Sequence, residues 1–284
     1  MVLEFLLEYE WDKPLQIFAS GFFFSSVAIF IAAALFTHSP SLVVVTFMTL
    51  PLIYTYTNLL QQEAVHEAKD KTIRQLIADN MFLVKTYLLL FLGMTIGIAF
   101  WFSILPNSML SSLFSEQIYN LNQIGLVTGL SITPLAIDSS AFMTIASNNI
   151  KLVLLSGIMS FVFAAGALFI LSWNASVIGV AVGSIIIKLM GAGASNVTAL
   201  SQGIGLGTVY YILHLIPEVV AYFLAAVAGA FISSAMMRYK PFSPNSNRLL
   251  AISGALVIFA VALILLGAVI EIQISHQLQN TYRV

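Results

Sequence analysis

Leu249 to Ile270 is a run of twenty-two residues without one Asp, Glu, Lys or Arg. At ~1.5 Å per helical residue it is about 33 Å long, close to the thickness of a bilayer's hydrocarbon core. Inside hydrocarbon each backbone N–H and C=O must be satisfied within the protein, which leaves helices or closed barrels. Apolar runs of helical length recur along the chain, at Leu15–Phe36, Leu42–Leu60, Met81–Leu105, Ser147–Leu171, Val177–Met190 and Pro217–Met237. Composition agrees: 60% of residues are hydrophobic and 8% charged, with mean hydropathy +0.98, against about 25% charged in a soluble domain. The expected fold is an all-α, polytopic integral membrane bundle of about seven transmembrane helices, one membrane domain over residues 1–284.

The net charge of −1 gives nucleic acid no electrostatic footing, and zero cysteines remove disulfides and thiolate chemistry. The leader Met1–Lys13 is acidic, where a signal peptide would be basic, so no cleavable leader is expected. Pro51 should kink the second run. Residues 61–80 form the most charged stretch, with Glu67–Lys71 and Asp70–Arg74 at i,i+4 in the favourable acid-first order, and read as a helical extension in water or along the headgroups, a solvated connector or a docking surface. Residues 106–146 carry no Lys or Arg. Leu110, Leu113, Phe114, Ile118 and Leu121 mark an amphipathic helix there, expected on the membrane surface. Ile124–Ile137 is too short to span and is broken by Gly125, Gly129 and Pro134, so a re-entrant piece is expected.

Basic residues in short connections set orientation. Lys69, Lys71, Arg74 and Lys85 follow the second run, and Arg238, Lys240 and Arg248 the sixth. Both groups are cytoplasmic if the chain is a multi-pass protein of the cell membrane with its N-terminus cytoplasmic and its C-terminus extracytoplasmic. Residues 61–80 then face the cytoplasm and 106–146 the outside. Small-residue spacings mark close helix packing at Gly93 and Gly97, and at Gly179, Gly183 and Gly229, with Gly157 and Asn174 as further expected packing positions. Trp173-Asn174 is expected to be an interfacial turn.

Glu218 stands out because a carboxylate inside an apolar run is costly and invites a functional reading. Pro217 beside it suits a helix start, which would place Glu218 in the first turn at the positive end of the dipole. The topology gathers Asn148, Asn149, Lys151, Lys188, His214, Pro217 and Glu218 near one membrane face, with Lys151 or Lys188 the expected partner of the carboxylate. One side of this helix repeats Glu218, Tyr222, Ala225, Gly229 and Ser233, a face built to meet another helix. Such a cluster can fasten helices, hold an ion, proton or lipid headgroup, or do catalysis. Catalysis ranks last, because no HExxH or G-x-S-x-G is present and no second membrane histidine completes a metal site. No catalytic, cofactor-binding or metal residue is assigned.

Three of these pieces resemble the stage II sporulation protein M family in its archaeal-type branch. They are Asn148-Asn149 leading to Gly157, Trp173-Asn174 followed by Gly179 and Gly183, and His214-Leu-Ile-Pro217-Glu218 followed by Gly229, together spanning residues 139–237. Leu215 stands where the family has a glycine after the histidine. The resemblance implies a non-enzymatic membrane component, and the expected role is a scaffold or partner-recruiting subunit of a membrane complex. A transporter or channel-like protein using Glu218 is the first alternative, and an intramembrane hydrolase the second. The lipid bilayer and other membrane proteins are the expected partners, homo-oligomerisation stays open, and no nucleic acid or cofactor is expected.

Overall fold

The computed structural model describes residues 14–36, 40–67, 81–123, 139–162, 166–207 and 213–281. Among these every regular element is an α-helix: α1 Pro14–Leu35, α2 Pro40–Glu67, α3 Met81–Ile104, α4 Asn107–Leu113, α5 Ser115–Gln123, α6 Ser139–Val162, α7 Gly166–Gly191, α8 Asn196–Gly207, α9 Leu213–Arg238 and α10 Pro244–Thr281. Six of them, α1, α3, α6, α7, α9 and α10, are long and apolar enough to cross a membrane. The all-α membrane bundle expected from the apolar runs is what forms. The seventh expected span, α2, has an apolar part of only Pro40–Ile53 among the described residues, although the helix itself continues through Pro51 to Glu67.

The helices alternate in direction between two ends. α1 runs parallel to α3, since Gly93 packs on Phe18, Gly97 on Ser25, and the Trp101 indole donates to Ser26 Oγ at 2.8 Å. α3 runs parallel to α7, with Ser172 near Met94 and Gly183 against Phe102. α9 and α10 form an antiparallel hairpin, in which Ser253 Oγ donates to Ala228 O at 3.2 Å and Ser246 Oγ to Ala235 O at 3.5 Å. Glycines and serines recur at these contacts because lipid tails leave no hydrophobic gain in bringing helices together. Close van der Waals approach and interhelical hydrogen bonds do that work. Around α9 every residue from Ala221 to Phe231 is buried, so this is the central helix. The Tyr87 ring of α3 lies 5.0 Å from that of Phe223 and ties the α1–α3–α7 group to it.

Several boundaries differ from expectation. The fourth span is Ser139–Val162, and the fifth is Gly166–Gly191, so Trp173 and Asn174 lie inside a helix where an interfacial turn was expected. The polar groups there are absorbed by the helix itself: Asn174 Nδ2 donates to Ile170 O and Ser176 Oγ to Trp173 O, leaving no reason to break. The sixth span begins at Leu213, with Pro217 inside it. A proline at that fifth helical position removes only the one bond that would reach the first-turn carbonyl of Leu213. The chain after Ile270 continues as helix to Thr281.

The connector α4–α5 is helical and amphipathic as expected, but its apolar face lies on protein. Leu110, Leu113, Phe114 and Leu121 are buried, and Phe114 meets Phe102 edge-on at 5.3 Å. The buried Gln117 donates through Nε2 to Ser176 Oγ at 3.0 Å, and Ser176 is the eleventh residue of the twenty-six in α7. α5 therefore reaches into the bundle instead of resting on a membrane surface. The expected re-entrant piece Ile124–Ile137, most of the charged stretch 61–80 and the acidic leader lie outside the described residues.

Candidate functional site

α6 and α9 run parallel and share the closest part of the polar cluster. From one side of α6, Asn149, Val153, Ser156 and Ser160 turn inward at helical spacing. From α9, Glu218 and Tyr222, four residues apart, face them. Asn149 Nδ2 donates to Glu218 Oε1 at 2.7 Å, and the Tyr222 hydroxyl donates to Asn149 Oδ1 at 2.9 Å. One turn further in, Ser156 Oγ donates to the Tyr222 carbonyl at 2.8 Å. Asn149, Glu218 and Tyr222 are 7%, 6% and 1% exposed. Away from water each of these hydrogen bonds is stronger and each missing one costlier, so the asparagine amide is fixed in orientation by what both its ends touch.

Below this chain the two backbones close in. A Cβ on Gly229 would collide with the Gly157 carbonyl, and one on Gly157 would stand 3.3 Å from the Ala225 carbonyl. Glycine at both positions lets the helices approach, and this approach brings Asn149 within reach of Glu218. Glu218 lies five residues past Leu213, the first described residue of α9, about 8 Å along the helix. It lies beyond the first turn, where the dipole acts most, so the amide of Asn149 takes the place expected for the helix N-terminus.

The expected basic partner is absent from this contact. Lys151 and Lys188 are both exposed, Lys188 in the last turn of α7. The reason is angular. Asn149 and Lys151 are two residues apart, so when one faces α9 the other faces away. Asn148 is exposed for the same reason, and Pro217 is half-buried beside Glu218. His214 falls in the first turn of α9, with its side chain outside the described set. The glycines stand at close helix contacts: Gly93 and Gly97 on α1, Gly179 on Ile98, Gly183 on Phe102, and Gly157 with Gly229. Asn174 is half-buried and bonded within its own helix.

Two members were not expected. Tyr222 was placed on the packing face of its helix, but its hydroxyl also completes the polar chain; the i,i+4 spacing from Glu218 was the available signal. Glu271, near the end of α10, is half-buried and stands within electrostatic reach of Glu218 and Tyr222. It closes an apolar run from which its neighbours could not be read. Among the described residues no three of His, Asp and Glu gather as metal ligands. The arrangement can fasten two helices, and it presents two carboxylates without a lysine between them.

The chain matches no protein-family model, no curated protein and no solved structure.

Proposed function

We propose that this protein is a non-enzymatic membrane scaffold, a subunit that holds a fixed helical frame on which other membrane proteins assemble. The observation that carries the reading is how the costly carboxylate is used. Glu218 accepts from Asn149, which accepts in turn from Tyr222, and this buried chain joins α6 to α9 on the same faces that meet at Gly157 and Gly229. Polar groups used in this way fix the arrangement of neighbouring helices. The resemblance to the stage II sporulation protein M family points the same way. Asn149, Gly157, Glu218 and Gly229, which carry it, belong to one interhelical contact, and Gly179 and Gly183 to another. Lys85, Arg238, Lys240 and Arg248 all fall at one end of the bundle, which supports a cytoplasmic assignment for that end and for the N-terminus.

One observation favours a second reading, a transporter or channel-like protein. Glu218 and Glu271 stand within electrostatic reach of each other, and elsewhere in the fold α8 is a short helix that folds back on α7 with Gly203 against Ile186. Transporters use interrupted helices and ionisable groups in this manner. Reconstitution separates the two. In liposomes the scaffold reading expects no proton or sodium flux above empty vesicles, and a Glu218→Gln protein that unfolds at lower temperature and co-purifies with fewer native membrane partners. Flux that Glu218→Gln stops in a still-folded protein would overturn it in favour of transport.

A further inference from the structure

α6 has two unlike faces. Its inner stripe of Asn149, Val153, Ser156 and Ser160 meets α9 and the bundle, while its outer stripe is Asn148, Lys151, Leu155, Ile158 and Val162, all exposed. Lys151 is the thirteenth of the twenty-four residues of α6, so its Cα is about 16–18 Å along the helix from both Ser139 and Val162. A flexible four-carbon stem is short against that distance, so the ammonium stays alongside the middle of α6 even when it bends toward one end. Cations at such depth almost always turn to protein or to a water-filled cavity and pair there. Among the described residues Lys151 turns to neither, because it points away from α9, on which the buried acid Glu218 is held by Asn149.

We propose that this outer face of α6 receives a transmembrane helix of a different protein that carries one carboxylate within its apolar span. Charge complementarity sets the chemistry. The lysine supplies the cation, exposed Asn148 one turn away supplies an amide, and Leu155, Ile158 and Val162 continue an apolar track past them for packing. A second copy of this chain offers no match among its described residues, since Glu218 and Glu271, the carboxylates in its spans, are taken up within the bundle. The inference deepens the scaffold reading, on which it rests, by naming what the recruited partner presents.

The test uses the full chain in phosphatidylcholine vesicles with a synthetic leucine–alanine transmembrane helix bearing one Glu at matching depth, and a control helix bearing Gln. Fluorescence energy transfer reads association. The expected result is about tenfold tighter association of the Glu helix, loss of that preference in Lys151→Gln, and a reversed preference, for a Lys-bearing helix, in Lys151→Glu. Equal association of the two helices with the wild type, or a Glu preference kept by Lys151→Gln, overturns the proposal. So does a third outcome, no Glu preference but phosphatidylglycerol retained through detergent in a Lys151-dependent way, which makes the occupant a lipid headgroup. A failure here leaves the scaffold reading standing if native partners still co-purify with Lys151→Gln.

Discussion

Asn149 is the residue on which the polar chain turns, because both ends of its amide are engaged: one donates to Glu218 and the other accepts from Tyr222. Removing only the hydroxyl, by Tyr222→Phe, keeps the ring in its buried site and leaves Asn149 Oδ1 without its donor. The expected loss is about 0.5–2 kcal/mol of stability, read as a lowered unfolding midpoint in detergent. A Tyr222→Phe protein as stable as the wild type would remove the hydroxyl from the account. At this scale the sequence was informative about which groups matter and less so about who partners whom. Glu218 and Asn149 announce themselves as polar residues in apolar runs. The choice of Asn149 over Lys151 depends on the rotation of α6 about its axis, which two residues' difference in position decides and composition does not.

At the scale of elements, α6 and α9 are held by shape as well as by hydrogen bonds, and the two glycines at their crossing are not equivalent. Gly157→Ala asks the Ala225 carbonyl to yield by a few tenths of an ångström, whereas Gly229→Ala drives a methyl group into the Gly157 carbonyl. The expected costs are under about 1 kcal/mol for Gly157→Ala and about 2–3 kcal/mol for Gly229→Ala, measured by chemical unfolding in micelles. Equal costs would mean that the helices do not cross where described. Element existence was legible, since long uncharged runs permit little but helix in a bilayer. Element ends were less so. Trp173 and Asn174 resemble an interface and Pro217 a helix start, yet each is accommodated by a local bond or by the loss of only one. The α4–α5 connector shows the same limit: its apolar face was readable, but whether lipid or protein covers it was decided by Gln117 reaching Ser176.

For the whole molecule, alternation of helix directions puts Lys240 at one end and Asn196 at the other. The absence of cysteine makes this easy to examine, because any introduced thiol is the only one. In intact cells, Asn196→Cys should react with a membrane-impermeant maleimide and Lys240→Cys only after permeabilisation; the reverse pattern would invert the proposed orientation. The architecture was largely legible from charge-free length and the placement of lysine and arginine, while the packing of α9 at the centre was not, since it depends on contacts from several helices at once. Whether the buried chain truly locks the bundle is best decided by a double-mutant cycle on unfolding, with Asn149→Leu, Glu218→Leu and both together. Each single change should destabilise the protein, and the pair should cost less than their sum by about 1 kcal/mol or more. Strictly additive losses would show that the asparagine and the carboxylate do not act on one another, and the fastening described for α6 and α9 would be contradicted.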